Sequence, residues 1–488
     1  MKMRTLLLAL MAIAGSGCMM GPDYARPPID TPQTYRFEPE QAQATADSEW
    51  WKQYADPVLD QLIADSLANN LDVRVAAANV EAAAGILTST RAPIFPQFGY
   101  SAEAGRARFT ESGDGAATPG KVNPQSFNQA GFVASWEIDL WGRIRRQTEA
   151  SEANLLATEE ARRGVILTLV SGVATGYLQL RGLDQQLEVA LKTQDAYAES
   201  LKYFELQFQY GQTSEMTVAQ ARSQYETASA QIPQIEQQIL ELENALSLLA
   251  GRNPGSIARG KTLEQLSAPG VPAGLPSDLL ERRPDIMLAE QQLIAANARI
   301  GAAKALYFPS ISLTGGLGSS SSELDDVFSG PAQTWNFTGS FIGPIFTAGL
   351  ISGQVVQAEA NQKAALSNYQ RVIQAAFADV DNALSSRDKL TLQVQSQQRQ
   401  VKALQDFARL ARLQYDGGYS PYSTVLLAEL QLFPAELTLA QTTASNAAAL
   451  ANIYKAMGGG WVDKASALTL PTTASMQGAD QPKKAAAE

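Results

Sequence analysis

Gly142-Arg143-Ile144-Arg145-Arg146 opens a stretch that runs on to Leu248-Leu249-Ala250, and its reading decides the fold. Only Gly164, Gly172, Gly176, Gly182, Gly211 and Pro233 interrupt it. The rest is rich in Ala, Leu, Gln and Glu, which lose little entropy in a helix. A turn signal at Tyr210-Gly211-Gln212-Thr213-Ser214 splits the stretch into two arms. The first arm, roughly 65 residues, makes a helix about 100 Å long at 1.5 Å per residue. No ordinary globular core is that deep, so such a hairpin must pack against other hairpins along its length.

The same object occurs again. Gly349-Leu350-Ile351-Ser352-Gly353 opens a second arm, and Glu359-Ala360-Asn361 repeats Glu152-Ala153-Asn154. A turn at Tyr415-Asp416-Gly417-Gly418-Tyr419 is followed by a return arm ending at Met457-Gly458-Gly459-Gly460. The offset holds at three landmarks: 349 − 142, 359 − 152 and 418 − 211 all give 207. Upstream, Phe308-Pro309 repeats Phe95-Pro96 at 213, the loop between the anchors being longer in the first copy. A constant offset reads as a tandem duplication and implies a ring-like or pseudo-symmetric assembly.

Between helix and hairpin the apolar period changes from 3.6 to 2. Phe98 and Tyr100 alternate with Gly99 and Ser101, and Phe132, Trp136, Ile138 and Leu140 recur at even spacing. The second copy repeats this with Ile311, Leu313, Gly315 and Leu317, then Trp335, Phe337, Gly339 and Phe341. Each copy therefore offers one amphipathic β-hairpin, fit for a soluble sandwich or a lipid-facing barrel. Tyr100, Trp136 and Trp335 near the strand ends suit an interfacial girdle and favour the barrel. Four strands cannot close a barrel, and open edges in lipid leave costly unpaired backbone groups. Several chains must then share one barrel, and the helix hairpins likewise need partners.

Residues 1–17 read as a signal peptide: Lys2 and Arg4 precede an apolar run, Leu6 to Ala14, too short to span a bilayer. Cys18, the only cysteine among 488 residues, follows Gly15-Ser16-Gly17 as in a lipobox, where the thiol takes a diacylglycerol. The alternative is an ordinary secretory peptide with an incidental cysteine. Met19 after it favours sorting to the outer membrane. Residues 18–48, with Pro22, Pro27-Pro28, Pro32 and Pro39, read as an extended lipid-anchored segment that Trp50-Trp51 pin down or merely follow as core aromatics. The first repeat takes residues 49–255, with a helix starting at Asp56-Pro57, a β-hairpin about 96–141 and a helical hairpin about 142–250. A linker, 256–274, leads to the second repeat at 275–462, with its β-hairpin about 309–346 and helical hairpin about 349–457. Residues 463–488 read as a flexible tail.

The formal charge of −11 argues against nucleic acid as a partner. The chain has no histidine, which removes most acid–base catalysis and imidazole metal ligation, so neither an enzyme nor a cofactor is expected. Asp278 and Glu281 have the spacing of a capping box, and Pro284 and Asp285 suit the first turn of the next helix. Arg282 and Arg283 read as partners for carboxylates at a domain seam or as an anion site. Pro233 and Pro434 fall inside the returning arms without being equivalent, since 434 − 207 is 227; they read as hinges or as fitted bends.

Several of these segments carry a family resemblance. Gly17-Cys18-Met19-Met20-Gly21-Pro22-Asp23-Tyr24 and Trp136-Glu137-Ile138-Asp139-Leu140-Trp141-Gly142-Arg143 resemble TolC/OprM-type outer-membrane efflux proteins of the lipoprotein, NodT-like branch. So do Leu275 to Ile286, with its Arg283-Pro284-Asp285, and the segments Phe308-Pro309-Ser310-Ile311 and Pro344-Ile345-Phe346. The resemblance implies an α+β membrane protein: a trimeric 12-stranded outer-membrane β-barrel continued by a periplasmic α-helical coiled-coil barrel, built from a tandem repeat. The implied function is the exit duct of a tripartite multidrug efflux system. The implied partners are two further copies, a periplasmic adaptor and an inner-membrane pump, commonly of the resistance–nodulation–division class. Polypeptide export by a type I system and a soluble periplasmic coiled-coil scaffold are the competing readings.

By the same resemblance the turns Gly211–Gln220 and Gly418–Leu427 form the periplasmic tip. Gly211, Thr213, Ser214, Gly418 and Tyr419 are then the adaptor-docking turns. Tyr415, Ser420, Thr424, Leu427 and Glu429 are the aperture candidates. Tyr415 matches the family's tip tyrosine. Leu427 stands where OprM-like members keep an Asp, Ser420 where TolC has a gating Arg, and Met216 and Thr217 replace polar partners. An apolar Leu427 ring can close by dewetting. Glu429 is the nearest acidic candidate, unless it faces a neighbouring helix.

Overall fold

The computed structural model describes residues 19–32, 34–37, 48–108, 110, 123–267, 270–271, 276–458 and 461–467. Cys18 and the signal segment lie outside these residues. In chain order the helices and strands are α1 (Pro57–Asn69), α2 (Leu71–Arg91), β1 (Gln97–Ala107), β2 (Gln125–Ile138), α3 (Arg143–Gln209) and α4 (Glu215–Leu249). A four-residue α5 (Leu279–Arg282), α6 (Pro284–Ala305), β3 (Ser310–Ser321), β4 (Gln333–Ile342), α7 (Leu350–Asp416), α8 (Tyr422–Ala456) and α9 (Trp461–Ala467) follow. The duplication is exact in the hairpins. α3 and α7 each have 67 residues, α4 and α8 each have 35. Their starts are 207 apart, as 350 − 143 and 422 − 215. Both return helices continue through their prolines, Pro233 and Pro434.

The chain divides into two compact units. One comprises Met1–Pro28, Asn79–Thr158 and Leu288–Tyr369. Its sheet is antiparallel in the order β1-β2-β3-β4, so the two hairpins join through β2 and β3. The pairing Phe98↔Ala134, Ala134↔Gly315, Gly315↔Phe337 puts one set of side chains on one face. That face carries Phe98, Tyr100, Phe132, Trp136, Leu313, Leu317, Trp335, Phe337 and Phe341. The other carries Ser101, Glu103, Ser135, Ser312, Thr314, Ser340, Thr338 and Asn336. Among the described residues nothing covers the first face: Tyr100 is 85 % exposed, Phe337 80 % and Trp335 73 %. Trp136 donates its indole N–H to the Ile94 carbonyl at 2.9 Å. Leu140, expected in the strand, lies beyond its end because Asp139 is used to start α3: its carboxylate accepts from the backbone N–H groups of Ile144 and Arg145.

Residues 19–28 form neither helix nor strand and are held by charge-assisted bonds. Arg26 meets the buried Glu290 of α6 with two bonds of 2.7 Å, and Tyr24 donates to the same carboxylate at 3.0 Å. Arg146, also buried, donates to the Met20 carbonyl at 3.0 Å and to Asp23 at 2.7 Å.

The other unit comprises Ile29–Ala78, Glu159–Met287 and Gln370–Glu488. Trp50 and Trp51 are core aromatics here. Trp50 stacks on Tyr454 at 5.1 Å, and Trp461 meets both tryptophans edge-on. α9 thus claims Trp461 to Ala467, five residues of which were expected in the tail; residues 468–488 lie outside the described residues. The glycine run before Trp461 hid this helix, whose Trp461, Val462 and Ala465 bury one face. Residues 256–274, expected as a plain linker, are docked where described. Arg259 binds Asp184 and Glu243, and Gly260 approaches Asp56 so closely that a Cβ would lie 2.1 Å from its oxygen.

The capping box does not form: Asp278 makes no side-chain cap bond. It lies in a 3-10 turn at φ −66, ψ −24, not in the extended conformation that aims a cap at the next N–H groups. Pro284 and Asp285 do open α6. Arg283 pairs with Asp285 at 2.7 Å and Asp379 at 3.0 Å, all within this one unit, so the pairing is with carboxylates.

Candidate functional site: the helix-turn tips

The two turns close by the same device. Gly211 has φ +71 and Gly418 φ +75, a region that suits glycine. The N–H of Gln212 reaches back to the Gln207 carbonyl and that of Tyr419 to Gln414, both at 2.8 Å. These six-to-one bonds are Schellman closures, which satisfy carbonyls at the ends of α3 and α7. Ser214 then caps α4 by accepting from the Thr217 N–H at 3.3 Å. Pro421 stands at the equivalent start of α8, where the side chain gives no cap bond. Thr213 and Ser420 are partly buried in their turns. The tips end in exposed apolar groups: Tyr210 at 79 %, Met216 at 68 % and Tyr419 at 89 %.

Behind the turns a small core ties the first hairpin to the second. Phe204, Val218 and Ala221 pack with Ala411, Tyr422, Val425 and Ala428. Tyr415 packs against this cluster, edge-on to Tyr422 at 5.5 Å and to Phe204 at 6.1 Å. Gln224 of α4, buried, bridges two residues of α8. It accepts from the Tyr422 hydroxyl at 3.1 Å and donates to the Glu429 carboxylate at 3.3 Å. Burial pushes the Glu429 carboxyl above its ordinary range, offset in part by Arg412 and the Gln224 bond.

The aperture candidates therefore separate. The Glu429 carboxylate is engaged by Gln224 of α4 and is partly buried. Leu427 is half-exposed, and Leu430, which the sequence reading passed over, is exposed to 53 % on the same side of α8. Thr424, partly buried, lies one turn before Leu427. The Ser420 hydroxyl is buried with no hydrogen-bond partner among the described residues. Gln224 was also missed, and its isolated glutamine among many carries no sequence signal. Among the described residues no group of His, Cys, Asp and Glu could hold a metal, and no helix is long and apolar enough to cross a membrane.

The sheet with one bare aromatic face, together with two long helical hairpins ending in these tips, is the architecture of an outer-membrane channel subunit. The family model for outer membrane efflux proteins matches residues 62–252 and 275–459, one match in each repeat. A probable outer membrane lipoprotein of Salmonella typhimurium, SilC, is 35 % identical, covering 95 % of this chain and all of its relative. SrpC, a solvent efflux pump outer membrane protein of Pseudomonas putida, is 37 % identical over 94 % of this chain and 99 % of its own. The crystal structure of the open MtrE outer membrane channel of Neisseria gonorrhoeae superposes with a TM-score of 0.82 at 31 % identity, covering 91 % of this chain and 99 % of that one. The chain belongs to the outer membrane efflux protein family. It is a non-enzymatic efflux channel protein of the outer membrane, which sets aside the soluble scaffold.

Proposed function

We propose that this chain is the exit duct of a tripartite multidrug efflux system. Three copies close one 12-stranded barrel in the outer membrane and one helical tunnel in the periplasm. The observation that carries this reading is the four-stranded sheet whose outer strands β1 and β4 find no further partner, and whose aromatic face finds no cover, among the described residues. In lipid the face is matched, and only closure removes the edges. Its strands, 10 to 14 residues long, suit a membrane-spanning barrel. The helices leave apolar side chains uncovered too, Ile86 at 60 % and Val356 at 65 %, which neighbouring copies would bury. A periplasmic adaptor docks at the exposed tips, and an inner-membrane pump of the resistance–nodulation–division class feeds the duct and selects the cargo. Relatives named for solvent efflux and as a lipoprotein support drug-like cargo and a lipid anchor over polypeptide export. Native mass spectrometry in mild detergent should give three copies. A stable monomer with full strand content would overturn the assembly.

Cys18 is the acylation site in this reading, anchoring the mature chain without creating the pore. The chain's single cysteine follows small residues after the apolar run. Mass spectrometry of the mature N-terminus should show an acylated Cys18; a free N-terminus at another residue would refute it.

A further inference from the structure

We infer the residue-by-residue register in which β4 of one copy pairs with β1 of the next; the inference rests on the shared barrel proposed above. Within one chain the two hairpins are equivalent pair for pair. Gln97↔Ser135 in the first corresponds to Ser310↔Ile342 in the second. The offsets are 310 − 97 = 213 for the outgoing strand and 342 − 135 = 207 for the returning one. These are the offsets of the Phe-Pro landmark and of the long helices, so the equivalence is continuous with the duplication.

The chain also contains one junction between hairpins, β2 with β3, whose register is Ser135↔Thr314, Val133↔Gly316, Phe132↔Leu317. A closed ring of six equivalent hairpins needs a second kind of junction, β4 with the neighbour's β1. Translating the first junction by the two offsets gives the second. Ser135↔Thr314 becomes Ile342 opposite Ser101, and Val133↔Gly316 becomes Ser340 opposite Glu103. Ala134↔Gly315 becomes Phe341 opposite Ala102, and Asn128↔Ser321 becomes Trp335 opposite Arg108.

The faces provide an independent check. The bare aromatic face holds the odd-numbered residues of β4 and the even-numbered residues of β1. The translated register sets odd against even throughout, so the aromatic surface and the polar surface each run on across the junction. A slip by one residue would bring Phe341 to the face of Glu103 and Ser101. A slip by two keeps the faces but breaks the equivalence of the junctions.

Cysteine pairs decide between these, because directly opposed Cβ atoms lie about 4.5–5.5 Å apart and diagonal ones about 7–8 Å, too far for a relaxed disulfide. The full chain carrying Ser340→Cys with Glu103→Cys should form, on mild oxidation, a covalent species of three chains that a reductant dissolves. Ile342→Cys with Glu103→Cys, and Thr338→Cys with Glu103→Cys, test the two slips and should stay uncross-linked. Single variants, which retain Cys18, control for unrelated thiols. Native mass spectrometry of each unoxidised variant reports assembly separately. Trimers that cross-link through a slipped pair, or through none of the three, overturn the register alone. Variants and wild type that are all monomeric overturn the shared barrel with it.

Discussion

Asp56→Ala is expected to lower the apparent melting temperature of the detergent-purified protein by several degrees. Asp56 is fully buried. One oxygen caps α1 by accepting from the Val58 N–H at 2.9 Å. The other accepts from the Tyr177 hydroxyl at 2.9 Å and the Lys261 N–H at 3.0 Å. Alanine removes the cap and leaves the buried Tyr177 hydroxyl and the partly buried Lys261 N–H unpaired, a loss of about 3 kcal/mol. Asp56→Asn keeps the shape but turns an amide N–H₂ towards at least one donor, so it should fall between wild type and alanine. Tyr177→Phe leaves the Gly260 N–H without its acceptor but keeps the bonds of Asp56 to Val58 and Lys261, so it should cost less than Asp56→Ala. Thermal melts followed by far-ultraviolet circular dichroism check the order. An Asp56→Ala melt that coincides with the wild type would show that this network does not hold the unit together.

The long helices and the strands were legible because each is a long run of one period. The duplication added the constant offset, and the structure keeps it in helices of equal length. Asp56-Pro57 announced a helix start, and the structure uses it so. What the sequence hid is the second half of that carboxylate's work, since Tyr177 and Lys261 lie 121 and 205 residues away. Local spacing cannot rank such distant partners. For the same reason Gln224 was invisible between Tyr422 and Glu429, the two residues of α8 that it bridges. Asp278 shows the opposite failure: the spacing of a cap was present, but the preceding turn took the backbone conformation that a cap needs. The junction of β2 with β3 joins the two repeats and could only be seen folded.

Replacing Leu427 by Ser should raise single-channel conductance several-fold in planar bilayers. In the proposed duct Leu427 and Thr424 would ring the resting aperture; Leu427 is half-exposed on α8 while Glu429 is engaged by Gln224. An apolar ring resists ions through their dehydration cost and needs no fixed charge. Leu427→Asp should confer block by multivalent cations, because three convergent carboxylates attract them. If the wild type is already blocked from the periplasmic side, an acidic ring governs the aperture and Glu429→Gln should abolish the block. If neither Leu427 substitution alters conductance, the placement of the aperture is wrong. Leu430→Ser, one turn on, is the next variant in the same series.

The wild-type baseline of that series tests the central claim most directly, that copies of this chain close into a conducting duct across the outer membrane. Purified full-length protein added to a planar bilayer should insert and give discrete, reproducible conductance steps, small at rest and enlarged by Leu427→Ser. Trimeric protein that inserts yet gives no steps, for the wild type and for Leu427→Ser alike, would contradict the account.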